Sequence, residues 1–221
     1  MTTTPATNPA QATHPANAAT DHWNTIYATK GADHVSWYRP HLDESLRRMQ
    51  ALALPAEAHL IDVGGGASTL VDDWLDLGFR NVHVVDLAAT ALDVAKARLG
   101  ERSARVRWQV ADICKADLPA DTFDFWHDRA VFHFLRDLDQ RAAYVAAVHR
   151  SVKVGGHVLV ATFAAGGPTR CSGLEVVRYD ADSLHREFGG GFERVDATQE
   201  VHHTPWGSEQ AFVYCLCRVR G

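Results

Sequence analysis

The sequence predicts an α/β fold: a doubly wound, mostly parallel seven-stranded sheet with helices on both faces, closed by an antiparallel strand in a C-terminal hairpin. Three observations carry this. From residue 58 onward, short apolar runs alternate with amphipathic stretches, the pattern of βαβ units. The first apolar run ends in a glycine turn, LIDVGGGAST, from Leu60 to Thr69. The last two runs are joined only by the short PWGSE linker, so they pair as a hairpin.

The elements follow in chain order. The first twenty residues, MTTTPATNPAQATHPANAAT, have almost nothing to bury and read as a disordered tail, 1–20. They lack the basic start and apolar stretch of a secretory signal and the arginines of a mitochondrial presequence. Residues 21–57 read as an N-terminal helical cap. DHWNTIYATKG ends in glycine, and SWYRPHLDESLRRMQALAL carries Leu42, Leu46, Met49 and Leu52 or Ala53 at helical spacing before Pro55. Residues 58–221 form the main domain. AHLIDV is a strand, STLVDDWLDLG a helix ending at Gly78, NVHVVDL a strand, and TALDVAKARLG a helix ending at Gly100. VRWQVADI and FDFWHDR are strands, Leu138–Arg150 a helix, GGHVLVATFA a strand, and Ala181–Phe188 a short helix. FERVDATQEVHHT and QAFVYCLCRVR are the closing strands.

Composition narrows the class. A chain of 221 residues that is 46% hydrophobic fits one domain with a buried core. The formal net charge of -5 and the absence of a lysine/arginine block argue against a nucleic-acid surface. No run approaches the roughly 18 apolar residues of a membrane span. Four cysteines without a CxxC pair suggest reduced thiols and a cytoplasmic location. His202 and His203 are neighbours on a strand and point to opposite faces. Cys215 and Cys217 share a face with Val213 and Val219, which reads as a buried strand face. No metal site is expected.

The glycine turn lies at the carboxyl edge of the predicted sheet, where doubly wound folds bind ligands. Glycine permits both the tight turn and close approach of a ligand to the backbone. The dinucleotide fingerprint G-x-G-x-x-G matches Gly64 and Gly66 but meets Thr69 at its third position. Asp62, just before the turn, suits a cationic ligand better than a pyrophosphate. Asp86 ends the next strand, where a carboxylate can accept both ribose hydroxyls of NAD or of another nucleoside cofactor.

With these residues the chain resembles the class I S-adenosylmethionine-dependent methyltransferase superfamily, whose first motif is acidic-x-Gly-x-Gly. IDVGGGAS fits it, and HVVDL, VADI, FDFWHD and VKVGGHVLV follow in the family's order, with Val154 replacing the proline of the last. The resemblance implies a Rossmann-like methyltransferase fold and S-adenosylmethionine as cofactor, leaving as S-adenosylhomocysteine. It implies that Asp62 lies near the methionine amino end, that Gly64, Gly65 and Gly66 wrap the cofactor, and that Asp86 and Leu87 hold the ribose. It further implies that Asp112 faces the adenine amino group while Ile113 donates from its backbone. His127 falls beside the reacting methyl. A nicotinamide-dependent oxidoreductase is the alternative enzyme class, disfavoured by Thr69 and Asp62. A cofactor-binding module without turnover is the non-enzyme alternative.

Three regions can build the acceptor pocket. VSWYRPH places Trp37, Tyr38, Arg39 and His41 in the N-terminal segment, with Trp37 and Tyr38 as the substrate candidates. WHDRAVFHFL holds the catalytic candidates His127 and His133, of which His127 suits a general base titrating near pH ~6.5, and the substrate candidate Arg129. TFAAGGPTRCSGLEVVRYD is a long polar loop with Cys171 and Arg178 as its notable groups; the thiol reads more readily as a small packed residue than as a reactive one. SWYRPH, WHDRAVFHFL, TRCSGL and HTPWG together resemble a subgroup of small methyltransferases, mostly bacterial and including, more distantly, a mitochondrial protein-lysine methyltransferase. WHDR stands where many amine methyltransferases carry N/D-PP-Y/F. The acceptor is thus expected to be a small molecule or a protein side chain, taken by a monomer or homodimer.

Overall fold

Leu60, Ile61 and Val63 are each no more than 2% exposed, because the strand they form is covered on both faces. A computed structural model of the protein describes residues 15–221, with side chains from residue 18. That strand, β1 (His59–Val63), is an interior strand of a seven-stranded sheet. The chain then forms β2 (Asn81–Asp86), β3 (Val106–Val110), β4 (Phe123–Arg129) and β5 (Val152–Phe163). A two-residue ribbon, β6 (Arg170–Cys171) and β7 (Leu174–Glu175), sits in the loop after β5. β8 (Phe192–His203) and β9 (Glu209–Val219) finish the chain. The order is β3-β2-β1-β4-β5-β9-β8: β1 to β5 are parallel, and β9 runs antiparallel to both neighbours, β5 and β8. The doubly wound sheet and its closing hairpin are therefore as the sequence predicts.

Helices cover both faces. On one, Tyr144, Ala147 and Val148 of α5 (Leu138–Ser151) and Leu184 and Phe188 of α6 (Ala181–Phe188) pack over Ile61, Val63 and Trp126. On the other, α2 (Asp43–Gln50), α3 (Leu70–Asp76) and α4 (Ala89–Leu99) bring Met49, Leu70, Trp74 and Leu92 onto Leu60, Val84 and Phe125. Alternate residues of one strand thus feed two separate cores, as the period-2 pattern requires. No helix among the described residues is long and apolar enough to cross a membrane.

Two expectations change at the N-terminus. Of the expected tail 1–20, residues 1–14 lie outside the described residues, and 15–20 belong to α1 (Pro15–Thr29). Proline at the first helical position and alanines at 16, 18 and 19 favour that start. α1 is tied down from afar: Thr90 at the start of α4 donates its backbone N–H (3.2 Å) and hydroxyl (2.9 Å) to Asn24 Oδ1. Within the expected cap, 21–57, the helix after SWYRP shortens to α2, and residues 30–42 are turns. Pro40 excludes helical conformation at Arg39 and has no N–H of its own to donate.

The expected turn VKVGG is instead the first part of β5. It carries an irregularity where the register against β4 jumps from Phe123↔Val152 to Phe125↔His157. Gly155 takes φ +82°, and a Cβ on Gly156 would lie 2.7 Å from Val152 Cγ1.

The direction of chain growth reverses at β1. β2 and β3 are added on one side, β4 and β5 on the other. The carboxyl ends of β1 and β4 therefore flank an open crevice at this switch point.

Candidate functional site

The crevice floor is the glycine turn after β1. Gly64 takes φ +67°, and a Cβ there would lie 2.0 Å from Val131 Cγ2. A Cβ on Gly65 would lie 2.6 Å from Asp62 Oδ2, and one on Gly66 (φ +38°) 2.8 Å from Asp86 Oδ2. Each glycine thus answers to a different neighbour, and two of those neighbours are the strand-end carboxylates. Gly64 N–H also donates to Val85 O (2.7 Å), carrying the β1–β2 ladder into the turn.

Asp62 is 2% exposed. Its Oδ1 accepts from His127 Nδ1 at 2.7 Å, and His127 Nε2 meets the Ser45 hydroxyl of α2 at 2.9 Å. His127 is itself 1% exposed, with Trp74 edge-on to its ring. Both ring nitrogens are engaged and neither reaches the crevice. This corrects the general-base expectation for His127: the imidazole holds a carboxylate in place. No signal in the sequence pointed to Ser45, which reaches His127 from 82 residues away.

Asp86 Oδ1 accepts from Ala88 N–H at 2.8 Å. Burial pushes its carboxyl up to about 7, with Asp62 adding repulsion and the N–H groups of Ala88, Gly66 and Leu87 partly offsetting it. Tyr27 of α1 faces it, with its hydroxyl 3.3 Å from the position of a Gly66 Cβ, so α1 covers this end of the crevice. Tyr27 lies four residues after Trp23, one turn of α1, and that aromatic spacing was its only sequence signal. Asp112 is half-buried. It accepts from Cys114 N–H (3.0 Å) and pairs with Lys115 (3.6 Å), while Ile113 packs in the core at 6% exposure.

A cavity opens over the turn. Asp62, Gly64, Gly65 and Ser68 line one side. Tyr27, Val35, Trp37, Tyr38, Arg39 and Leu42 of the N-terminal segment line the other, with Arg129 at the end of β4. Trp37, Tyr38 and Arg129 thus line one cavity. Gly66, Asp86, Leu87, Asp112 and Ile113 lie outside the cavity wall. The remaining candidates sit elsewhere. His133 is fully buried, its Nδ1 accepting from Phe163 N–H (3.4 Å), and burial with Arg129 nearby lowers it to about 3. It is a neutral core histidine away from the cavity, unlike the catalytic position expected for it. Cys171 is 4% exposed, and burial raises its thiol to about 12, so it is a packed residue and no nucleophile. Arg178 is exposed and donates to Gly167 O within its own loop (3.1 Å), away from the cavity. Cys215 and Cys217 are free buried thiols 3.6 Å apart on the expected strand face. Among the described residues no cluster of three or more His, Cys, Asp or Glu could hold a metal ion.

The geometry brings together a carboxylate, a backbone turn open to close approach, aromatic walls and a guanidinium. Such a site can hold a cationic, nucleoside-bearing molecule on the turn and a second molecule between the aromatic and cationic walls. Arg39 is neutralised by Glu200, whose other oxygen accepts from Tyr214 Oη at 2.7 Å. Glu200 lies on the distant strand β8, so its role was not readable from the sequence.

The chain is similar to known proteins along most of its length. A family described as "Methyltransferase domain" matches residues 61–160. The human protein "EEF1A lysine methyltransferase 2" is 20% identical over 190 residues, covering 80% of this chain and 75% of that protein. The mouse "eEF1A lysine and N-terminal methyltransferase" is 24% identical over 153 residues, and the chain spans only 21% of its length. Among solved structures, a "SAM-dependent methyltransferase" from Anabaena variabilis superposes with a TM-score of 0.71 at 15% identity, covering 95% of this chain and 96% of that one. The "1,6-didemethyltoxoflavin-N1-methyltransferase" from Burkholderia thailandensis, solved with bound 1,6-didemethyltoxoflavin and S-adenosylhomocysteine, gives a TM-score of 0.70 at 21% identity, covering 100% of this chain and 94% of that one.

Proposed function

The chain belongs to the class I S-adenosylmethionine-dependent methyltransferases, and from that premise we propose that its acceptor is a small molecule seated between Trp37, Tyr38 and Arg129. The carrying observation is that the cofactor turn (Asp62, Gly64, Gly65) and these three residues wall one cavity. A relative's name points to lysine and a structural neighbour's to a small heterocycle. The small-molecule reading is favoured because the cavity is narrow and covered by the N-terminal segment. A cytoplasmic monomer or homodimer that binds no nucleic acid completes the proposal.

The residues present fit the cofactor. The three glycines leave a cradle that side chains would fill, Asp62 offers a carboxylate to an ammonium, and Asp86 a carboxylate to a diol. The place of Asp112 and Ile113 beside the adenine is proposed from the family resemblance of VADI. When bound, S-adenosylmethionine supplies a sulfonium methyl that passes to a nucleophile by in-line displacement, the carbon–sulfur electron pair staying on sulfur. The chain contributes orientation: His127, braced by Ser45, aims Asp62, and the aromatic wall confines the acceptor. His127 has both ring nitrogens bonded and His133 is buried, so neither is proposed as the base for the incoming nucleophile.

Calorimetry with S-adenosylhomocysteine tests this reading. Micromolar binding is expected, with no binding of NAD; the reverse would sink the proposal. Asp86→Ala should weaken binding about 100-fold or more, since a charge-accepted diol contributes roughly 1.5–3 kcal/mol per bond. His127→Ala should weaken it about tenfold through a misaimed Asp62, and Ser45→Ala less. Unchanged affinity in His127→Ala would remove the bracing role.

A pH dependence follows from Asp86. Its carboxyl titrates near 7 in the folded chain, raised from the usual carboxylate range. The ionised form accepts two hydroxyls, so affinity for S-adenosylhomocysteine should rise with pH up to about 7 and then level off, at most tenfold per unit. Folding responds in the opposite sense. The raised value means the native state holds the proton, so this stability is present below about pH 4 and lost as pH rises through 7. Asp86→Asn should flatten both profiles; a variant profile that still rises would assign the dependence elsewhere.

A further inference from the structure

Arg129 is the unbalanced charge of the cavity. Its Nε donates to Tyr214 Oη (3.1 Å), its Nη1 to Trp37 O (3.1 Å), and its guanidinium lies 4.3 Å from the Phe212 ring centroid. Its Nη2 is buried and has no hydrogen-bond partner. Among the described residues Arg129 makes no ion pair, whereas the other cavity guanidinium, Arg39, is paired with Glu200 and Asp43. Burial keeps Tyr214, Cys171, His133 and His202 around it neutral, and the carboxylate nearby, Glu200, is paired with Arg39 and reaches Arg129 only through the Tyr214 hydroxyl. A partly desolvated guanidinium with a free donor and no carboxylate in direct contact is costly unless a ligand supplies one. The backbone holds the group in place. Ala130, the next residue, sits at φ +71° with its N–H donating to Ala161 O (2.9 Å), a strained conformation that fixes the exit of β4.

We propose that Arg129 receives the carboxylate of the methyl acceptor, which is therefore an anionic small molecule with an apolar body. The body lies against Trp37 and Tyr38, and the anion bonds Nη2 in the charge-assisted geometry that guanidinium favours. This rests on the methyltransferase reading. A carboxylate could also come from the methionine end of the cofactor, and the test separates the two sources.

Protein saturated with S-adenosylhomocysteine is titrated calorimetrically with three matched probes: benzoate, benzamide and benzylamine. Benzoate should bind at least about fivefold tighter than either other probe. Arg129→Met should remove that preference, Arg129→Lys should restore part of it, and affinity for S-adenosylhomocysteine should stay within about threefold of the parent protein. Preference for benzylamine, equal binding of the three, or no binding of any overturns the proposal. So does a loss of S-adenosylhomocysteine affinity in Arg129→Met that is absent for 5′-methylthioadenosine, which lacks the carboxylate: that result places the cofactor's own carboxylate on Arg129. Failure of the parent protein to bind S-adenosylhomocysteine would instead count against the methyltransferase reading.

Discussion

Replacing Gly64 by alanine is expected to cost about 3 kcal/mol or more of folding stability. A new Cβ would lie 2.0 Å from Val131 Cγ2, far inside contact distance, and the backbone sits at φ +67°. The left-handed conformation alone costs an alanine about 1 kcal/mol. Overpacking adds roughly 1–3 kcal/mol. Val131 has little freedom to yield, because its N–H is held by Asp128 Oδ1 at 2.9 Å and the preceding Ala130 is already strained. Urea denaturation would read the loss as a lower midpoint at unchanged slope. The double variant Gly64→Ala/Val131→Ala should recover the steric part and leave the conformational part. An unchanged midpoint in the single variant would show that the turn relaxes and that the glycine is not required here.

Asp128→Ala should destabilise the fold by a similar amount, about 3–5 kcal/mol, from within the core. Asp128 is 0% exposed and accepts from Tyr144 Oη (2.7 Å), Val131 N–H (2.9 Å) and Phe132 N–H (3.1 Å), while Trp126 Nε1 donates to the same tyrosine oxygen (2.9 Å). Removing the carboxylate strands buried donors on three residues at once. Tyr144→Phe removes one partner and leaves the rest, so it should cost less, about 1–2 kcal/mol. Burial holds the Asp128 carboxyl up at about 6 despite these donors. The sign is again that of a raised carboxyl: its stabilising share is present below about pH 4 and fades as pH rises through 6. Thermal unfolding of parent and Asp128→Asn across pH 4–8 would read the difference. Equal profiles would assign the titration to another group.

Much of the fold was legible in the sequence because burial imposes period on it. FDFWHDR is β4 to the residue, and Ala181–Phe188 is α6 to the residue, the latter capped by a reciprocal Asp180–Ser183 bond pair. The glycine turn was legible for the same kind of reason: Gly64 and Gly66 adopt positive φ, which few other residues tolerate. The N-terminal segment was less so. Its apolar spacing suited a helix from SWYRPH to Leu52, but α2 spans only Asp43–Gln50, and α1 owes its place to Asn24 meeting Thr90 far along the chain.

The residue types of the site were equally visible, and their roles were not. Histidine, arginine and cysteine next to a strand end are chemically versatile, and the sequence carries no measure of what will surround them. His127 became a brace because Asp62 and Ser45 occupy both its nitrogens; His133 and Cys171 became core because water is excluded from them. Arg129, which lines the cavity, kept a buried donor without a partner. By itself the sequence determined the alternation of strands and helices, the turn and its flanking carboxylates, because these depend on local conformation and on periodic burial. Tertiary structure decided which polar groups are satisfied and which remain available, because hydrogen-bond partners, charge compensation and solvent access are set by residues distant in the chain that meet only when the sheet closes.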